Sequence, residues 1–348
     1  MLLRQDPNVT ISNADLSAAV RGGIIDEATA TRLVNFVTSS GAVREADDEQ
    51  LRLVTGFNDI FVTIGLGLLF GAVFYLLNKL ALFPAALIAW VLAEVFTRRM
   101  RMALPSIILL IVFVGSVFLG TANLFQGYGA NSDGSIATVT QWGWLCAALT
   151  AAVAAALNWW RFHVPITIAA GVAALVAAAF LGLNASFGLK IGEFGALLLL
   201  PMGLAVFCLA MFFDSKDRMR RTQMSDRAFW LHMLAAPLIV HPIVRLISSG
   251  TGQIVGTAAP VVFILFAVLA LVALTIDRRA LLVSSLIYLI VTLASVFKNS
   301  GHADIGSGIA ILVVGGLVLL LSVAWKPLRR NLLPLLPQSL QNLVPLAA

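Results

Sequence analysis

The residues best placed to do chemistry lie in one apolar run, AFWLHMLAAPLIVHPIVRLISSG, residues 228–250. It holds His232, Pro237, His241, Pro242 and Arg245, an unusual set for a segment otherwise fit to cross a bilayer. His241 and Arg245 are four residues apart and share one helix face. His232 precedes His241 by nine residues, about 900° of helical rotation, so it falls on the opposite face. The two imidazoles therefore cannot share a metal ion. Pro237 and Pro242 each lack an N–H, which leaves the carbonyls of Met233 and Leu238 without helical partners. The pattern predicts a kinked helix lining a polar cavity, with His241 and Arg245 as ligands for an anionic or polar group. The plainer alternative has Arg245 reaching along the helix to the membrane surface and His241 bonded to a neighbouring carbonyl.

A second polar group, Lys298, His302 and Asp304, sits with Asn299 in a short segment between apolar runs. One imidazole and one carboxylate are too few for a metal site, and a solvated loop accounts for them. There is no HExxH, GxSxG, Walker A or CxxC motif. No catalytic residue, metal site or cofactor is expected, and the chain does not read as an enzyme.

These groups must be positioned by a particular kind of scaffold. The 348 residues are 60% hydrophobic and 11% charged, with a mean hydropathy of +0.96. Soluble domains carry about 25% charged residues, and disorder needs low hydrophobicity. Both classes are excluded. What remains is an all-α polytopic transmembrane bundle. Ten runs satisfy the span criterion: 58–77, 80–97, 103–123, 140–158, 164–183, 194–213, 228–247, 259–276, 280–297 and 306–325. Pro84, Pro105, Pro165 and Pro260 fall in first turns, where a missing N–H costs nothing. Ten spans divide as five plus five, which leaves room for an inverted repeat, although the halves share no convincing identity.

The formal charge of +6 invites a nucleic-acid reading until the charges are located. Residues 1–55 carry five bases and eight acids, and the remainder carries eighteen bases and nine acids. Those eighteen form short clusters between apolar runs, where anionic headgroups would hold them. Nucleic acid is not implied; the lipid bilayer is. With the N-terminus inside, nineteen of the 23 bases fall on the cytoplasmic side and Lys79, Lys190 and Lys298 on the other. The expected topology is N-in, C-in.

Three regions follow. Residues 1–55 read as a cytoplasmic helical hairpin with a charged lead helix, residues 56–325 as the ten-span bundle, and residues 326–348 as a Pro/Leu-rich interfacial tail anchored by Arg329 and Arg330. In the hairpin, Ser12 and Asp26 are N-cap candidates and Gly22-Gly23 breaks the first helix; the second should end at Ser39-Ser40-Gly41. Its seam of Leu16, Val20, Ile24, Ile25, Leu33, Phe36 and Val37 is too small for an independent core, so residues 12–40 are expected to dock on a protein partner or a second copy.

Several single residues take structural readings. Glu94 should pair with Arg98 one turn on, and Asp59 should cap the first span. Gly67 and Gly71 form a small-xxx-small pattern suited to close helix packing. Six tryptophans, Trp325 among them, sit near span ends as an aromatic belt. Cys146 and Cys208 should be free, buried thiols.

The segment AAVRGGIIDEATATRLVNF, through Gly23, Ile25, Ala30 and Leu33, resembles a class of uncharacterised bacterial polytopic membrane proteins that open with a short cytoplasmic helical hairpin. The resemblance covers about 40 residues and implies a bacterial inner-membrane setting, with no activity attached. A looser likeness is to drug/metabolite-type exporters, which also have ten spans but lack this hairpin. A transporter-like protein for a small solute leads, with a membrane scaffold or regulatory protein acting through the hairpin as the alternative.

Overall fold

The computed structural model describes residues 13–43, 57–125, 140–187, 191–217, 220, 222–247, 259–299, 303–341 and 344. No strand occurs among the described residues. The chain separates into two compact units, residues 1–49 and 50–347.

The first unit is a hairpin of α1 (Asn13–Arg21) and α2 (Glu27–Val43). Gly23 makes the break at φ +70°, a left-handed conformation that glycine adopts without steric cost. Asp26 stands just before α2, and the Thr29 hydroxyl hydrogen bond holds its carboxyl below the ordinary value, as an N-cap should. Ser12 lies outside the described residues, as do residues 44–53. α2 runs past the expected stop at Ser39–Gly41 as far as Val43. Ile24 is 79% exposed, and Leu33 and Val34 are also exposed, so the seam is only partly closed within the hairpin.

The second unit places a helix at each of the ten apolar runs. They are α3 (Phe57–Leu77), α4 (Leu82–Ala93), α5 (Ala103–Leu124), α6 (Gln141–Phe162), α7 (Ile166–Phe187), α8 (Ile191–Lys216), α9 (Gln223–Ile247), α10 (Ala259–Ile276), α11 (Ala280–Asn299) and α12 (Ala303–Leu332). A 3₁₀ turn, Asn78–Ala81, leads into α4, and a π-helical turn, Glu94–Arg99, leaves it. Seven helices among the described residues are long and apolar enough to cross a membrane; α10 and α11 are shorter apolar helices. This fits a multi-pass membrane protein.

The distribution of side chains agrees. Large apolar residues such as Leu80, Leu319, Leu320 and Val323 cover the outside, while Asn158, Thr167, Asp214, His232 and Arg278 are buried. A water-soluble fold has the reverse arrangement. The helices pack as successive neighbours from α4 to α7; α7 then meets α9, and α9 meets α11. Three apolar cores result: one between α3, α4 and α5, one between α7, α8 and α9, and a larger one among α9, α10, α11 and α12. The α6–α7 seam is built on alanine, with Ala148, Ala151 and Ala155 buried, and the Thr167 hydroxyl donates to Asn158 across it at 3.2 Å.

Four expectations need correction. A Cβ on Gly67 or Gly71 would meet nothing within 4 Å, so this pattern does not mark a helix contact within the chain. Cys146 and Cys208 are free, but Cys146 is half-buried and Cys208 is exposed on the outer surface. Trp325 is 1% exposed rather than a belt residue. Finally, α12 does not stop at residue 325 but continues through Pro327 to Leu332. Arg329 is buried rather than placed in the interface, because tertiary partners described below hold that last turn.

Candidate functional site

Five non-glycine residues among those described have left-handed backbones: Asn78, Arg101, His163, Arg220 and Asp277. Such conformations are uncommon outside glycine and asparagine. Four of the five belong to the end of the bundle where the arginines gather, here the basic end. Each ends a helix or opens a connection there. At Asp277 the device is complete: Arg278 N–H donates to the Ala273 carbonyl at 2.9 Å, closing α10 as a Schellman cap in which Asp277 occupies the usual glycine position.

Two buried charge clusters grow from this turn. In the first, Asp214 near the end of α8 accepts from His232 Nε2 of α9 at 2.8 Å and from Arg278, whose Nε lies 3.3 Å away. Arg278 Nη2 also donates to Asp214, to the Ser225 hydroxyl at 2.9 Å and to the Ser225 carbonyl at 3.1 Å. His232, Arg278 and Asp214 are 0%, 1% and 2% exposed. His232 Nδ1 has no hydrogen-bond partner among the described residues, and its ring packs edge-on against Phe207 at 5.4 Å.

The second cluster is centred on Asp277. Arg220 reaches its carboxylate at 2.8 Å and its backbone carbonyl at 2.7 Å, and Trp325 Nε1 donates to the other carboxylate oxygen at 2.7 Å. Arg329 Nε lies 4.0 Å from that oxygen. Beside it, Asp217 accepts from the backbone N–H and hydroxyl of Thr222 at 2.8 and 2.6 Å, shaping the α8–α9 turn. Burying so many charges is costly unless each is matched, and here the acids and bases are interleaved.

The same end holds a cavity of about 770 Å³ between the starts of α5, α7 and α9. Arg98, Arg101, His163, Gln223 and Asp226, with the hydroxyl residues Thr97 and Ser106, are its polar lining, and its apolar wall includes Ile107, Phe162, Ile166 and Trp230. Glu94 sits next to it, held by Arg161 Nε of α6 at 2.7 Å and by Arg98 at 3.3 Å. The i,i+4 pair read from sequence is present; the cross-helix arginine was not foreseen.

The residues singled out from sequence are scattered. His241 and Arg245 share an exposed face of α9, as their spacing requires. His241 Nδ1 meets the Tyr288 hydroxyl of α11, and neither residue lines the 770 Å³ cavity. Pro237 is exposed, Pro242 is buried, and α9 stays helical through both. Lys298 falls in α11 and Asp304 in the first turn of α12; His302 lies outside the described residues. Asp59 is buried in the first turn of α3.

Sequence reasoning passed over Asp214, Arg220, Asp277 and Arg278, treating the two bases only as topology markers, and read Arg329 as an interfacial anchor. A signal was available. Of the nine acids beyond residue 55, Glu94, Asp214, Asp217, Asp226 and Asp277 all lie within or beside the basic clusters, where a mere headgroup anchor would not want them. No group of three or more His, Cys, Asp or Glu residues suited to a metal ion occurs among the described residues. No protein family, curated protein or solved structure matches this chain.

Proposed function

We propose that the chain is a ten-span protein of the bacterial inner membrane with both termini in the cytoplasm, acting as a permease-like protein for a small solute. The observation that carries this reading is the fully buried Asp214, shared between His232 and Arg278 inside a bundle whose outside is apolar. Ionisable groups within membrane helices are costly and by default mark ion or substrate paths. His232 donates through Nε2 to Asp214, which leaves Nδ1 as the group that takes up a proton. Protonation would convert the pair to imidazolium and carboxylate and weaken the hold of Arg278 on Asp214. That gives α8, α9 and the α10–α11 turn a reason to part and re-join during a transport cycle. The positive-inside count of nineteen bases supports the orientation.

The test is solid-supported-membrane recording on proteoliposomes challenged with size-fractionated small-molecule extracts. The wild-type chain should give a transient current with at least one fraction, and His232→Gln, correctly folded, should abolish it. Absence of current with every fraction would leave the second reading ahead, that of a scaffold acting through the hairpin. That reading rests on the exposed Ile24, Leu33 and Val34 in a unit separate from the bundle. It expects deletion of residues 1–43 to leave insertion intact while losing a protein or dimer contact.

A further inference from the structure

We infer that the 770 Å³ cavity at the basic end is a binding site for an anion carried on an apolar body: a phosphate or carboxylate joined to a chain or ring. Its size lies within the range of small-ligand pockets, about 300–1,000 Å³. The occupant's charge follows from the lining. Arg98 and Arg101 face one acid, Asp226, and Arg98 is shared with Glu94 outside the lining. The first residues of three long helices also border the space: Ala103 of α5, Ile166 of α7 and Gln223 of α9. The dipoles of those helices favour negative charge at their starts. At α5 no side chain caps the helix start, and the Ser106 hydroxyl is turned to the Met102 carbonyl of its own chain.

The apolar half follows equally. Ile107, Phe162, Ile166 and Trp230 wall the cavity, a surface that a bare inorganic ion would leave wet. Arg101 and His163 are held at its edge by left-handed backbones, at φ 52° and 54°, strain of a kind that clusters at ligand sites. His163 lines the cavity; its N–H closes α6 on the Trp159 carbonyl at 3.0 Å, and its ring packs against Trp159 at 5.4 Å. A guanidinium, an imidazole and helix starts above an apolar wall suit a phosphate monoester or a phospholipid headgroup alike. Asp214, His232 and Arg278 are not among the cavity's lining residues, and the test of the site needs no transport.

The experiment uses the full chain, purified and delipidated in a neutral detergent. One arm titrates hexyl phosphate calorimetrically; the other measures retention of phosphatidylglycerol by native mass spectrometry, with phosphatidylcholine as reference. Arg101→Asn, which keeps a residue tolerant of the left-handed backbone, should weaken binding about tenfold, the loss of one charge-assisted hydrogen bond. Asp226→Asn should tighten it, a gain that misfolding does not produce. Arg330→Gln, an exposed arginine outside the cavity, should change nothing. Saturable binding of hexyl phosphate identifies a soluble ligand, and selective phosphatidylglycerol retention that hexyl phosphate does not displace identifies a headgroup; either supports the site. Binding in neither arm, or equal losses for Arg101→Asn and Arg330→Gln, overturns it.

Discussion

Gly203 of α8 lies directly against the Leu238 carbonyl of α9: a methyl group built on the glycine would sit 2.8 Å from both the carbon and the oxygen. This carbonyl is the one that Pro242 deprives of its helical N–H donor. Where the sequence suggested an opening beside the proline, a neighbouring backbone has moved in. Gly203→Ala must push the two helices apart, and overpacking of this kind costs about 1–3 kcal/mol. Thermal unfolding in detergent should show a lowered midpoint, whereas Gly315→Ala, where a Cβ meets nothing within 4 Å, should not.

Arg278→Met leaves Asp214 buried with only His232 as partner. Removing one member of a buried ion pair costs about 3–5 kcal/mol. The double variant Asp214→Leu/Arg278→Met should be less destabilised than the sum of the single variants, because no uncompensated charge then remains. Denaturation midpoints of the four proteins of the cycle check this; strict additivity would mean that the two side chains do not interact.

Trp325→Phe keeps an aromatic ring, though a smaller one, and deletes the Nε1 donor to Asp277. A hydrogen bond to a charged group contributes about 1.5–3 kcal/mol, and that loss should appear in the same unfolding assay. It should also loosen the turn of α12 beyond Pro327, readable as faster hydrogen exchange at Leu328–Leu332.

Two labelling experiments address topology and the outer half of α9. Reporter fusions after residues 101, 221 and 279 should all report cytoplasm, since the basic clusters lie there; a periplasmic signal at 221 would reverse the orientation. Arg245→Cys should react with a membrane-impermeant thiol reagent. His241→Cys, about 6 Å deeper by helical rise and on the outer surface against Tyr288, should resist it. Labelling at 241 would instead reveal water reaching that face.

How much of this was readable beforehand depends on the kind of interaction. Helix positions follow from apolar runs, so a helix appears at all ten. Caps such as Asp26 before α2 and the Glu94–Arg98 pair were also legible, because both are local along the chain. The basic end was not. Arg161 meets Glu94 from 67 residues away and Arg278 meets Asp214 from 64, and no periodicity encodes such partners. Pro327 misled for a related reason: local chemistry argues for a helix stop, and the distant Asp277 overrides it by binding Trp325. The tight contact at Gly203 was equally hidden, since Gly67 and Gly71 carry the more conspicuous spacing and face open space.

Asp277 and Arg278 are joined by one peptide bond, yet they serve different clusters, one tied to α12 and the other to α8 and α9. A trans peptide fixes their Cα atoms about 3.8 Å apart, so neither cluster can shift without dragging the other. The α10–α11 turn is therefore a rivet that ties α12 to α8 and α9, not a flexible strap. Any rearrangement of this bundle has to begin by drawing that rivet or else take place at the far rim, with the basic end moving as one plate.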